Sequence, residues 1–381
     1  MIELSSQASL KTAIADCINS DGGVLDALRT EILPLRDSTR RIQPRTGTAI
    51  SLVGTDGGNN QLRFDPFMVQ LIRVVDSSNN EYCLEAVSPS TPLDGLMSRH
   101  FATDGSPSTA LGKMMVFLGV KTLPALSRMI RPSGDGQPVS PSWVQAYREL
   151  VEWATLFALT EKDFATDTVI VYDGLLRSMI FAGDLFSRLI DGIEQRINDQ
   201  WLHSRRRLYL AGVAKHSKVI DRYRLAMALE GVLQTNYEAY VEVPPDIEER
   251  AYVWLNYDRG DDSLRQGSQP NRASGGQMFL VKFGNRPHDP IWPVDIFRPQ
   301  TGQAQVILGS ITQDACNGFP IPYYPLCLQK AHENAALVGF DLEILQGYIY
   351  QGVRESLAEE AGALDAFQLQ DSDPALRRYT W

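Results

Sequence analysis

The order of the apolar segments predicts an α/β protein: a mixed sheet core flanked by helices, with an N-terminal helical arm and a β-rich C-terminal extension. Three observations carry that expectation. Three short segments rich in β-branched and aromatic residues succeed one another between Ala49 and Ser88. Two nearly all-apolar strands then alternate with helix-spaced stretches, and clusters of glycine, proline, asparagine and aspartate mark the joins. At 381 residues with 44% hydrophobic composition, the chain can bury a substantial core.

The elements follow in order. Leu10, Ala13, Ile14, Cys17 and Ile18 recur at spacings of three and four, so the first 45 residues read as a helical arm closed by a link near Pro44. AISLVGTDGG, PFMVQLIRVVDS and EYCLEAVS read as three antiparallel strands. From Thr91 to Pro141, loops such as DGSPST alternate with apolar segments such as ALGKMMVFLGV, an irregular helical insertion. Ser142 caps a helix through Thr160, and DTVIVYDG, almost wholly apolar, is a central strand. A helix over about Leu175 to Asp199, a strand LYLAGVAK and a helix from Val219 to Leu233 follow. Beyond them YVWLNY, MFLVKF, VDIFR and QVILGSI are candidate strands, interrupted by a polar, glycine-rich loop from Arg259 to Gln277. Helices near Leu326 to Val338 and Asp341 to Leu357 precede an acidic tail. The expected division is an arm over 1–45, a main domain over 46–340 that contains the insertion at about 91–141, and a helix with tail over 341–381. There is no internal repeat.

Cys17, Cys83, Cys316 and Cys327 stand far apart, which indicates neither a zinc ribbon nor a disulfide framework and fits a reducing cytoplasm. The N-terminus lacks the basic-then-apolar order of a signal peptide, and no stretch reaches the roughly 20 apolar residues a membrane helix needs. A soluble, cytoplasmic protein is expected. The net charge of −10 argues against a general nucleic-acid coat. Between Trp201 and Arg224, however, Arg205, Arg206, Arg207, Lys215, Lys218, Arg222 and Arg224 face one acid, Asp221, and form a candidate phosphate-binding surface.

Asp56 lies where an apolar strand runs into two glycines, and Asp173 repeats the arrangement in VIVYDGLL. Ligands of α/β sheets bind beyond the carboxyl ends of strands, so two such aspartates could share a hard divalent cation. Asp-Gly is also the commonest turn dipeptide, and it is the pairing of the two that points to chemistry. Glu149 and Glu152, on the preceding helix, are alternative third carboxylates that their spacing does not separate. Lys215, at the end of LYLAGVAK, is placed to neutralise a phosphate, and a neutral His332 in PYYPLCLQKAHENAAL to ligate metal or move a proton. Their plainer roles are a solvent-reaching lysine and a hydrogen-bonded structural histidine.

In order along the chain, SLVGTDGG, VIVYDGLL, LAGVAKHSKVIDRY and PYYPLCLQKAHENAAL resemble the successive motifs of the NurA nuclease family. The resemblance runs from about Ala49 to Leu337. It implies an RNase H-like core, a manganese- or magnesium-dependent exo- and endonuclease acting on DNA, a homodimer enclosing a DNA channel, and partnership with a hexameric HerA-type ATPase in DNA end processing or defence. Carried over by position, Asp56, Asp173, Lys215 and His332 match the motif residues, and the helix glutamate matches Glu152 best, with Glu149 close behind. The metal set so implied is Asp56, Asp173, Glu152 and His332. The insertion and the loop from Arg259 to Gln277 look longer than the family needs.

Two cations held by Asp56, Asp173 and a helix glutamate would then activate water and stabilise the leaving 3′ oxygen, with Lys215 and His332 countering charge or protonating the leaving group. Two rivals differ in class. A sugar-kinase or actin-like phosphotransferase also places a glycine turn after its first strand, but it needs a second phosphate loop, and LLRS follows Asp173 instead. A non-catalytic DNA clamp or assembly subunit of a translocase complex would be expected to have lost the carboxylates.

Overall fold

A computed structural model describes residues 4–43, 45, 50–64, 67–130, 142–252, 274–336, 339–357, 360 and 362. Helices α1 (Leu4–Ser20) and α2 (Gly22–Asp37) lead to a short strand β1 (Arg40–Arg41). The three expected strands follow as β2 (Ile50–Phe64), β3 (Phe67–Asp76) and β4 (Glu81–Val87). The insertion folds into short helices α3 (Leu93–Ser98), α4 (Ala110–Leu118) and α5 (Leu123–Leu126). Thr109 and Thr122 cap the last two by accepting from the amides of Gly112 and Ala125. Then come α6 (Trp143–Leu159), β5 (Asp167–Asp173), α7 (Leu185–Ser204), β6 (Leu208–Val213) and α8 (Lys218–Glu230). The chain continues through β7 (Ala239–Glu242), α9 (Pro245–Ala251), β8 (Gly276–Lys282), β9 (Ile291–Phe297), α10 (Ala304–Ala315), α11 (Leu326–Ala335) and α12 (Gly339–Leu357).

Several expectations need correction. QVILGSI is part of α10, because Ala304, Ile307, Leu308, Ile311 and Ala315 are buried at helical spacing; so short an apolar run does not declare its period. The helix after β5 starts at Leu185, ten residues late, since Gly174 (φ 146°) and Gly183 (φ 56°) hold the intervening chain in a loop. Ser142 stands at the N-cap of α6 but its hydroxyl makes no capping bond. β1 and β7 are strands the sequence did not announce. Of YVWLNY only Tyr252 lies within the described residues, where it ends α9; most of the loop Arg259 to Gln277, residues 131–141 and the acidic tail lie outside them.

Among the described residues, nine strands form one sheet in the order β1-β7-β8-β9-β6-β5-β2-β3-β4. β2, β5 and β6 run parallel to one another, and every other pairing is antiparallel. The unit β4-β3-β2-β5-β6, a meander joined to two parallel crossovers, is the expected RNase H-like core. Its strands alternate their side chains between two packed layers. Ile170 and Tyr172 of β5 join α6, α7 and the insertion on one face, while Val169 and Val171 join α10 and α11 on the other. Helices α2, α8 and α9 cover β7 and β8 through a third cluster containing Ile32, Val219, Tyr223, Val241 and Leu280.

Candidate metal centre

The parallel register places Thr55 beside Tyr172, so Asp56 and Asp173 are each the next residue along neighbouring strands. Side chains at one level of parallel strands share a face. Both carboxylates therefore emerge on the side of α11, at the carboxyl ends of the parallel strands. Asp173 continues the register to β6, opposite Val213, and Lys215 follows two residues later.

Helix α11 can approach because β2 lacks side chains where it crosses. A Cβ on Gly54 would lie 2.5 Å from the carbonyl oxygen of Cys327, and one on Gly58 would lie 2.6 Å from that of Ala335. Arg73 of β3 anchors the far end of the helix, donating to the carbonyl of Asn334 at 2.7 Å. So placed, α11 delivers His332, whose Nδ1 lies 2.6 Å from Oδ2 of Asp56. One ligand atom from each of Asp56, Asp173 and His332 falls within 4.8 Å of the others, the cluster of this kind found among the described residues. Two carboxylates and an imidazole are a donor set suited to manganese, with magnesium admitted by the oxygens.

Each aspartate is held by groups that fix its plane. Oδ1 of Asp56 accepts from the amide of Gly57 at 2.7 Å. Oδ1 of Asp173 accepts from the hydroxyl of Tyr324 at 2.7 Å, and Nζ of Lys215 lies 3.1 Å from its Oδ2. Burial raises the Asp173 carboxyl above its usual range, and Asp56 adds to the rise, against the opposing pull of Lys215 and Tyr324. The side chains of Asp56 and Asp173 are only 13% and 12% exposed, whereas His332 is 63% exposed and marks the open side.

Of the two glutamates, Glu152 reaches this place and Glu149 does not. Glu152 approaches from α6 on the opposite face of the sheet, beneath Gly57, where an added Cβ would stand 2.1 Å from its Oε1. It lines a crevice with Asp56, Gly57 and Asp173, but stands outside the mutual reach of Asp56, Asp173 and His332. Arg148 holds its Oε1 at 3.1 Å and Tyr172 donates to its Oε2 at 3.2 Å. Burial pushes its carboxyl up to about 8, with Arg148 opposing and Asp56 and Glu149 reinforcing. Glu149 instead accepts from the hydroxyl of Ser178 at 2.6 Å, in the loop before α7, and burial raises it too.

The basic residues divide between the two ends of β6. Lys215, Lys218 and Arg222 follow the strand and lie at the carboxylate end, the last two exposed on α8. Arg205, Arg206 and Arg207 precede it and lie at the other end. Arg205 and Arg207 place their guanidinium carbons 5.6 and 4.9 Å from the ring centre of Trp201, and Arg206 pairs with Asp163 at 2.7 Å. Arg224 is exposed further along α8. Sequence reasoning passed over Tyr324 and Arg148, which touch the acidic groups; the tyrosine sat unused inside the PYYPLC segment that carried His332.

An α/β protein with an RNase H-like core and an Asp-Asp-His cluster at its parallel strand ends is thus the class that fold and site define. No family model and no curated protein matches the chain. Among solved structures the chain is similar to the NurA nuclease from Sulfolobus solfataricus, with TM-score 0.45 and 13% identity over 94% of this chain and 99% of that one. It is similar to NurA bound to dAMP and manganese, with TM-score 0.35 and 12% identity over 88% and 94% of the two chains. An Argonaute from Marinitoga piezophila with guide RNA gives TM-score 0.26 and 9% identity over 78% of this chain and 31% of that one. Among the described residues, no helix is long and apolar enough to cross a membrane.

Proposed function

We propose that the chain is a divalent-metal-dependent DNA nuclease that hydrolyses phosphodiester bonds, working as a homodimer with a hexameric HerA-type ATPase in DNA end processing or defence. One observation carries the enzymatic part: Asp56, Asp173 and His332, from three elements distant in sequence, bring ligand atoms within 4.8 Å of one another. The partner, the dimer and the pathway rest on the motif resemblance alone.

Asp56, Asp173 and His332 would hold manganese or magnesium, with Glu152 close behind Gly57. A cation held there would supply Lewis-acid charge to a phosphodiester. Lys215, beside Asp173, neutralises phosphate charge as it builds during in-line displacement. Exposed His332 would move a proton at the ring nitrogen that does not face Asp56. Lys218 and Arg222 extend a phosphate-binding surface from the same end of the sheet, while Arg205, Arg206 and Arg207 contact DNA away from the scissile bond. The direct test is cleavage of linear DNA with manganese, with magnesium and with chelator, by the unmodified chain and by Asp173→Ala. Manganese-dependent cleavage lost in the variant supports the assignment. Retained cleavage removes it, and tight DNA binding without cleavage by the unmodified chain identifies a clamp instead.

A further inference from the structure

The segment between Gly318 and His332 touches both aspartates. His332 meets Asp56 on β2, and Tyr324, eight residues earlier, meets Asp173 on β5. Tyr324 is 1% exposed, and its hydroxyl has no role in the chemistry proposed above. Its position is overdetermined. The ring packs edge-on against Trp292 with centroids 4.9 Å apart. Its carbonyl accepts from Nε2 of Gln329 at 2.9 Å. The same amide accepts from the N–H of Ile321 at 2.8 Å and donates to the carbonyl of Ile321 at 3.0 Å. Gln329 lies on α11, one turn before His332, and is buried. The loop that carries the tyrosine and the helix that carries the histidine are therefore one rigid unit.

A carboxylate in a shared cation site is useful only in one orientation, and groups behind metal ligands fix that orientation through hydrogen bonds. With Tyr324 on Oδ1 and Lys215 on Oδ2, the plane of Asp173 is set by one donor on each oxygen. Lysine is flexible and 35% exposed, whereas the tyrosine is locked. We propose that Tyr324 is a positioning residue that orients the Asp173 carboxylate for cation binding, and that Gln329 clamps the loop carrying it to α11. This rests on reading Asp56, Asp173 and His332 as a cation site.

The test is titration of the full chain with manganese chloride alone, followed by electron paramagnetic resonance, for the unmodified protein, Tyr324→Phe, Gln329→Met and Asp173→Asn. Phenylalanine keeps the ring against Trp292 and removes only the hydroxyl. Tyr324→Phe is expected to weaken manganese binding about ten- to hundredfold with an unchanged melting temperature in chelator. Gln329→Met should shift affinity the same way, and the double variant should be no weaker than the worse single one, because the two act along one path. If Tyr324→Phe binds manganese as the unmodified protein does while Asp173→Asn has lost it, the positioning role is wrong and the cation site stands. Absence of manganese binding by the unmodified protein overturns the cation-site reading, and this proposal with it. Should Tyr324→Phe fail to fold, wild-type affinity in Gln329→Met decides against the clamp.

Discussion

Two charged clusters flank the central strands, and they are built to opposite ends. In the first, Asp56 and Asp173 stand side by side where the parallel pairing of β2 and β5 stops, within reach of His332 and with Glu152 behind them on the opposite face, and each acid keeps a single basic partner, His332, Lys215 or Arg148. In the second, Arg177 forks onto both oxygens of buried Asp295 at 2.9 and 2.7 Å and reaches Glu248 at 2.6 Å, with its guanidinium over the ring of Tyr252. The second set uses its donors up. It pins the loop after β5 to β9 and α9. The first leaves acceptor capacity converging on one open point, where a cation would add what the protein withholds. Convergence on an opening with compensation left incomplete marks a binding site, and full compensation without an opening marks a brace.

Removing an acid should therefore have opposite consequences in the two places. Asp173→Ala is expected to lower manganese-dependent cleavage on the order of a thousandfold, the loss expected when several kcal/mol of cation-borne stabilisation goes. Its melting temperature in chelator should hold or rise, since Asp56 loses a like-charged neighbour. Asp295→Ala should do the reverse. Buried Arg177, left with Glu248 as its one carboxylate partner, should cost up to about 3–5 kcal/mol, which urea denaturation would read as a lower midpoint. A large stability loss in Asp173→Ala, or none in Asp295→Ala, would break the contrast.

Glu152 sharpens it through pH. Its folded-state carboxyl sits near 8, above the 4.5 of the exposed group. The folded chain thus holds a proton that the unfolded chain has released, so stability falls as pH rises between about 4.5 and 8. Metal-free protein should lose a few kcal/mol across that window, and Glu152→Gln should flatten the slope and be the more stable of the two at pH 8. Parallel pH-dependent denaturation curves for the two proteins would show that burial does not hold that proton.

Much of this site was legible in the residues. Asp173 ends its apolar strand as expected, whereas Asp56 does not: β2 runs on to Phe64 as a partner of β3, and only its parallel pairing with β5 stops at Thr55, which sets the two aspartates side by side. Glu149 and Glu152 were not separable, because three residues along a helix keep two side chains on one flank; only the absence of a side chain at Gly57 admits one of them. Tyr324 was hidden for a different reason, since a loop has no period to say where a side chain points. QVILGSI misled by being short and apolar in both patterns. The division of the arginines, by contrast, could have been read: in a parallel strand, residues before it and residues after it stand at opposite ends of the sheet.

That division yields the smallest effect. Arg205 and Arg207, stacked on Trp201, are separated from Asp173 by the length of β6, about 20 Å at 3.3 Å per residue. Replacing both by alanine should leave cleavage of a short oligonucleotide unchanged, because a short strand at the carboxylate end does not span that distance. Affinity for long DNA should fall less than about tenfold at moderate salt, with the salt-dependence slope shallower by up to about two, as two lost phosphate contacts require. Lys218→Ala, at the other end of the strand, should weaken short and long DNA alike. If the arginine pair proves as damaging to short substrates as Lys218→Ala, DNA does not lie across the sheet in the way the two ends of β6 imply.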